Sequence, residues 1–195
     1  ALAGQTVLDA GAGVGAVALC LASRVENIQV HGLERQVELA KLAADNATAN
    51  GLADRVHVLC GDIHQPPDEI NRAVFDHTVC NPPFHDVAKA SPSPDQGKAL
   101  AHSEGETPLS KWLSFCLRRT RPGGTVTMIH RASRLHEIIA GWKDGAGDMV
   151  IIPLWPKAGR PAGRIIVQAK VGGKGPTVLH PGLQLHKYNG ADTDK

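Results

Sequence analysis

A chain of 195 residues that is 42% apolar and 21% charged has material for one hydrophobic core burying roughly 70% of its unfolded surface, which excludes a disordered segment and a pair of ordinary-sized domains. Its formal charge of +2 permits an anionic partner without demanding one, so charge alone does not mark a nucleic-acid binder. No run approaches the roughly 18 apolar residues of a membrane span and no basic-then-apolar leader opens the chain, so a cytoplasmic protein is expected, as one domain over 1–195.

The strand pattern starts almost at once after Ala1, which is not methionine, so a truncated N-terminus is expected. Residues 5–10 form a β-type run that opens into Gly11-Ala12-Gly13-Val14-Gly15 and a helical stretch over 16–24. Strand, glycine turn, helix is how a nucleotide-binding βαβ unit begins, because glycine lets the backbone turn sharply and approach a ligand that a Cβ would strike. Asp9, Gly11, Gly13 and Gly15 are the candidate cofactor residues of this turn. The spacing Gly11, Gly13, Ala16 also satisfies a dinucleotide fingerprint, so the turn by itself leaves two cofactors open. A second strand over 27–34 ends in Glu34, a carboxylate placed to accept both hydroxyls of a ribose. Val37, Leu39, Leu42, Ala43 and Ala47 mark a packing helix over 35–49, stopped by Asn50-Gly51. The third strand, 55–60, runs into Gly61-Asp62-Ile63, where Asp62 is placed to accept from an adenine amino group and Ile63 to pack on its ring.

The fourth strand, 74–80, stops at Asn81-Pro82-Pro83-Phe84. Two consecutive prolines donate no backbone hydrogen bond and fix their own φ, so the strand ends there in a stiff turn presenting Asn81 and Phe84. An amide beside a proline carbonyl accepts hydrogen bonds from a planar amino group, and an aromatic ring stacks on the flat system that carries it. Residues 85–106 have no apolar period and read as a substrate-covering segment that is poorly ordered without substrate. A helix follows from Thr107-Pro108 with Leu109, Trp112, Leu113, Cys116 and Leu117 on one face, and Trp112 is expected in the core. Arg118, Arg119 and Arg121 suit either the helix C-terminus or a nucleic-acid contact.

A fifth strand over 125–130, a helix through Leu135, Ile138, Ile139 and Trp142, and strands over 148–155 and 164–171 complete the pattern, with a short strand within 178–185. The connection 156–163 between the last two long strands makes them an antiparallel hairpin and carries Lys157 and Arg160, with Arg164 just after, as candidate substrate contacts. Cys20, Cys60, Cys80 and Cys116 are widely spaced without a C-x-x-C pair and read as buried thiols of a reducing compartment. The fold class expected is α/β: a Rossmann-like, seven-stranded, mostly parallel sheet with an antiparallel C-terminal hairpin and helices on both faces.

The Asp9 glycine turn, Glu34, Gly61-Asp62 and Asn81-Pro82-Pro83-Phe84 together resemble the class I S-adenosylmethionine (SAM)-dependent methyltransferases that act on planar amino nitrogens. More closely, that proline turn, the stretch 118–124, Pro153-Leu154-Trp155-Pro156-Lys157 and residues 163–169 look like the bacterial tRNA (adenine-N6)-methyltransferases acting beside the anticodon of a valine tRNA. Phe84 stands where many relatives have tyrosine, which keeps the stacking and loses a hydroxyl. The resemblance implies that Asp9, Gly11, Gly13 and Glu34 hold the methionine and ribose parts of SAM, and Asp62 with Ile63 its adenine. It implies an RNA substrate, tRNA in particular, gripped at its amino group by Asn81 and the Pro82 carbonyl, with neither a metal nor a catalytic cysteine. Oligomeric state stays open. The same turn also serves glutamine N5-methyltransferases of release factors and duplex-DNA adenine methyltransferases. From other classes, an NAD-binding Rossmann protein explains the glycine turn and Glu34 but not residues 81–84, and a non-catalytic SAM-fold subunit would be expected to have lost that proline turn.

Overall fold

The β-branched and aliphatic runs of the sequence become strands of one sheet in a computed structural model, which describes residues 1–83 and 107–186. Phe84, at the end of the proline turn, and the segment 85–106 expected to cover the substrate lie outside the described residues. The strands are β1 (Thr6–Ala10), β2 (Gln29–Glu34), β3 (Val56–Cys60), β4 (Phe75–Cys80), β5 (Thr120–Arg131), β6 (Ala146–Trp155), β7 (Arg164–Val171), β8 (Val178–Leu179) and β9 (Leu183–Gln184). The helices are α1 (Ala16–Arg24), α2 (Val37–Ala49), α3 (Asp68–Asn71), α4 (Leu109–Arg119) and α5 (Leu135–Trp142). The sheet order is β3-β2-β1-β4-β5-β7-β6-β8, with β9 also on β6.

The first five strands run parallel to one another, while β7 runs antiparallel to both β5 and β6. The hairpin expected from the sequence therefore places its second strand, β7, directly against β5 and its first strand, β6, one position further out in the same sheet. The seven expected strands become nine, because the stretch within 178–185 supplies two short pieces, β8 and β9, each parallel to β6.

Alternation along each strand divides the core in two. Leu8, Ala10, Leu33, Val126 and Met128 face α3, α4 and α5, where Trp112, Phe115, Ile138 and Trp142 pack on them. Val7, Val30 and Val56 face α1 and α2, whose Ala18, Ala22 and Ala47 are small enough to bring those helices close to the sheet. Buried side chains such as Trp142 and Phe115 each contribute on the order of 2 kcal/mol by leaving water, so α4 and α5 are held by packing, with no side-chain cap on either N-terminus.

The arginines at the end of α4 take structural roles. Arg119 donates to the carbonyls of Ile70 and Asn71 at the end of α3, Arg118 to Ser114, and Arg121 pairs with Asp76 at 2.7 Å. Two of the four cysteines depart from the expectation of burial. Cys20 is exposed because it lies on the outward side of α1, and Cys60 is exposed as the last residue of β3, the end strand of the sheet. Cys80 and Cys116 are buried, with sulfurs 3.4 Å apart, and burial pushes the Cys80 thiol up.

Candidate active site at the carboxyl edge of the sheet

Parallel strands all end on the same side, so whatever follows β1, β2, β3 and β4 is gathered along one edge, where open α/β sheets bind ligands. The glycine turn after β1 adjoins the end of β2: Gly11 and Ala12 both donate to the Leu33 carbonyl, at 2.8 and 3.0 Å. The end of β2 adjoins that of β3, since Gly61 donates to the Glu34 carbonyl at 2.9 Å. On the other side of β1, Ala10 is in register with Cys80, the residue before Asn81. Four motifs that are far apart in the sequence become neighbours in the order Asp62, Glu34, glycine turn, Asn81.

The turn itself holds three residues with left-handed backbone, Gly11, Gly13 and Gly15, each of which glycine adopts at little cost. They serve different ends. A Cβ on Gly11 would stand 3.0 Å from Cη2 of Trp112 on α4, so that indole supports the turn from below. A Cβ on Gly15 would stand 3.2 Å from that of Ala43, so its bareness lets α1 and α2 approach each other. A Cβ on Gly13 would meet nothing within 4 Å, which leaves the space in front of it open to a ligand.

Glu34, only 7% exposed, fastens this turn to the next helix: Oε2 accepts from the Gly13 N–H and Oε1 from the Gln36 N–H, both at 2.9 Å. Each oxygen has spent one acceptor position of about two, so both retain a lone pair for a further donor. Asp9, 2% exposed, has no hydrogen-bond partner on Oδ2 among the described residues. Burial raises its pKa to about 7, opposed by a backbone hydrogen bond at Ala18 and reinforced by the charge of Glu34. Asp62 turns one oxygen back to the His64 N–H at 2.8 Å and lies 4.0 Å from Arg35, while Ile63 is buried in the core cluster that contains Trp112.

At the proline turn Pro82 is buried and Asn81 and Pro83 are exposed, so the corner is anchored by one ring and shows the amide to solvent. Lys157, Arg160 and Arg164 are exposed on the same edge but two or more strands away, because β5 lies between β4 and β7. Arg131, directly opposite Arg164 in the β5–β7 ladder and exposed, joins them. Neither Arg131 nor Trp112 carries a local sequence signal of a site; only strand register and helix packing bring them here. Among the described residues no group of three or more His, Cys, Asp or Glu side chains is arranged to hold a metal ion, and no helix is long and apolar enough to cross a membrane.

The family described as "Methyltransferase small domain" matches residues 1–96, the stretch that carries the glycine turn, Glu34, Asp62 and Asn81. This chain resembles the class I SAM-dependent methyltransferases. Among individual relatives of this methyltransferase-like chain, the tRNA1(Val) (adenine(37)-N6)-methyltransferase of Porphyromonas gingivalis strain W83 is 33% identical over 136 residues, 69% of this chain and 52% of that protein. The rRNA N(6)-adenosine-methyltransferase metl-5 of Caenorhabditis elegans is 28% identical over 146 residues, 74% of this chain and 61% of that protein. The chain thus spans about half the length of the bacterial relative it matches. Among solved structures, a predicted O-methyltransferase, Atu636 of Agrobacterium tumefaciens, superposes with a TM-score of 0.77 at 23% identity over 97% of this chain and 85% of that one, which shows the shared fold. TrmN of Thermus thermophilus has a TM-score of 0.57 at 22% identity, covering 88% of this chain and 45% of its own.

SAM is the cofactor implied by this resemblance. The methyltransferase-like edge fits it in three respects: an orphaned buried acceptor at Asp9, open space before Gly13, and spare acceptor capacity on Glu34.

Proposed function

We propose that the protein is a SAM-dependent N-methyltransferase that methylates the exocyclic N6 amino group of an adenine in RNA, and in tRNA in particular. The single observation that carries this reading is the exposed Asn81 on a Pro82-anchored corner, one strand away from the glycine turn. Support also comes from relatives named for adenine-N6 methylation of tRNA and rRNA. That all described strands form one sheet supports treating 1–195 as one catalytic domain, and a cytoplasmic location belongs to the same reading.

Asp9 and the backbone of Gly11, Gly13 and Gly15 would line the methionine end of the cofactor, Glu34 its ribose, and Asp62 with Ile63 its adenine. Neighbouring strands are about 4.8 Å apart, so the ends of β3, β2, β1 and β4 span about 14 Å, a length suited to a nucleoside bearing an amino-acid chain. When bound, SAM supplies a methyl group already activated by its sulfonium charge. The chain's own task is positioning. The Asn81 amide oxygen and the Pro82 carbonyl accept the two N–H bonds of the target amino group, which draws electron density onto nitrogen and fixes the direction of its lone pair. The prolines keep both acceptors from moving. Phe84, outside the described residues, is by type an aromatic ring that would stack on the target base and offset, by about 1 to 3 kcal/mol, the few kcal/mol needed to unstack it, which favours a loop or single strand over a duplex. Lys157, Arg160 and Arg164 meet the phosphate backbone.

Incubation with methyl-labelled SAM and, separately, total tRNA, duplex DNA and release factor tests the reading. Label recovered as N6-methyladenosine from tRNA is expected; label on a glutamine of release factor, or on DNA alone, would replace it. Neutralising Lys157, Arg160 and Arg164 together is expected to lower the salt slope of RNA binding by about 0.7 to 0.9 per lost phosphate contact, and an unchanged slope would remove them from the interface.

A further inference from the structure

Strand register sets two arginines face to face. Arg131, the last residue of β5, lies directly opposite Arg164, the first of β7, so their side chains leave the same face of the sheet from Cβ atoms about 5 Å apart. Like charges in that relation cost stability unless an anion stands between them. The nearby helix α5 does not offer one to Arg131: its carboxylate, Glu137, is held by Arg134 through two hydrogen bonds at 2.6 Å. Among the described residues no hydrogen bond or ion pair engages the exposed guanidinium of Arg131. Lys157 and Arg160 belong to the same corner, because Ala132 donates to the Gly163 carbonyl at 3.1 Å and so ties their loop to the end of β5. A chain of formal charge +2 thus concentrates its cations at one place, and an anion is what that place attracts.

The same register fixes where Arg131 stands relative to the proline corner. On β5, the neighbour of β4, Met128 is level with Cys80, the residue before Asn81. Arg131 is three residues further on, about 10 Å along the sheet and one strand, about 4.8 Å, to the side. An amino group held at Asn81 belongs to a base whose sugar and phosphate extend away from it, so a partner for that phosphate is needed at a remove from the corner and not at it. We propose that Arg131 recognises the phosphate adjoining the target nucleotide, with Arg164 on its other side, and thereby restricts the proline corner to amino groups carried on a nucleic acid. The inference rests on the proposed function and deepens it. Lys157 and Arg160, on a loop, serve any stretch of backbone; a residue that the β5–β7 ladder holds at a set distance from Asn81 reads the phosphate of the nucleotide being modified. A glutamine amide is as planar as an adenine amino group but has no phosphate to offer, so the pair of arginines selects against a protein substrate. Arginine suits the task because its planar fork gives a phosphate two parallel hydrogen bonds, where lysine presents a point charge.

Phosphate-ethylation interference tests it. A valine tRNA transcript carrying about one ethylated, and so uncharged, phosphate per molecule is methylated with labelled SAM, and the ethylated positions missing from the product are mapped. With wild type, a phosphate adjoining the methylated adenosine is expected among them. With Arg131→Gln that position should cease to interfere while more distant positions still do, kcat/KM on unmodified tRNA should fall by about ten- to a hundredfold, as for a lost hydrogen bond to a charged group, and S-adenosylhomocysteine affinity should stay within twofold. Arg131→Lys, which keeps the charge and loses the fork, should recover part of kcat/KM and part of the interference. Wild type showing no interference at either adjoining phosphate would overturn the proposal, as would an Arg131→Gln pattern identical to that of wild type. Either result, obtained with an active wild type, sinks this inference alone. A wild type that binds S-adenosylhomocysteine and transfers no label to tRNA sinks the functional reading with it.

Discussion

Asp9 and Asp76 sit on adjacent strands, β1 and β4, at opposite edges of the sheet, and their surroundings could hardly differ more. At the amino edge Asp76 accepts the Thr6 N–H at 2.8 Å, the Thr6 hydroxyl at 3.1 Å and the Arg121 Nε–H at 2.7 Å. Those bonds, the Thr6 N–H first and Arg121 next, hold its carboxyl below the usual carboxylate range. Beside it, His77 hydrogen-bonds both Thr125 and Gln5. At the carboxyl edge Asp9 is buried with one oxygen unmatched, and its pKa rises to about 7. The same residue type thus spends its charge on the fold at one edge and withholds it at the other. A saturated polar group fastens strands together; an unsaturated one costs stability and is kept where a ligand completes it.

The comparison breaks most visibly at Asp9. Its folded pKa of about 7 lies above the unfolded value near 3.9, so the contribution of the neutral carboxyl is fully present below about pH 4 and is lost as pH rises through 7. Asp9→Asn is expected to remove that loss. Denaturant unfolding between pH 4 and 8 should show the variant gaining on the wild type by up to about 4 kcal/mol, with S-adenosylhomocysteine stabilising the variant less. Parallel curves for the two proteins would mean that Asp9 does not titrate in this window. Next in size is Asn81→Ala: turnover is expected to fall by about a hundredfold or more, as when a transition-state hydrogen bond is deleted, while stability and S-adenosylhomocysteine affinity hold. An active variant would remove Asn81 from the chemistry.

At the opposite edge, Asp76→Asn is expected to cost about 1 to 3 kcal/mol at pH 7. Because the folded pKa of Asp76 is depressed, its contribution is present above the unfolded carboxylate range and lost as pH falls through the folded value. The gap between variant and wild type should therefore close on acidification, as it does for Asp9, but with the opposite sign: here the variant is the less stable protein at high pH. The smallest effect on the fold is expected from Gly13→Ala, about 1 kcal/mol for a Cβ at a φ of 55°, since nothing lies within 4 Å. Its effect on cofactor affinity should exceed tenfold, because the Cβ occupies the ligand's space. A variant that loses stability yet binds normally would show that Gly13 is needed only for its backbone.

Much of the site is legible in the chain's own residues, because its motifs are local. Gly11, Gly13 and Gly15 reveal a turn by having no side chains, Glu34 and Asp62 by ending apolar runs, and Asn81 by preceding two prolines. A motif does not separate the work each residue does. Gly15 serves helix packing, Gly11 accommodates an indole and Gly13 keeps the space before it clear, yet all three look alike in a glycine pattern. Glu34, assigned to a ribose, is also the brace that ties the turn to α2. The arginines after α4 suit a helix end and a nucleic acid equally well by type and spacing; Asp76 and the end of α3 are what engage Arg121 and Arg119.

Residue order alone determined that strands and helices alternate, that the parallel strands end in polar or glycine residues, and that those ends make one edge, because hydrophobic period and chain-breaking residues act over a few neighbours. Tertiary structure decided the rest: that β7 is inserted between β5 and β6, that Arg131 faces Arg164, and that Trp112 lies beneath Gly11 with its N–H unmet. These depend on pairings between segments tens of residues apart, chosen by how whole faces fit and not by any residue's own preference.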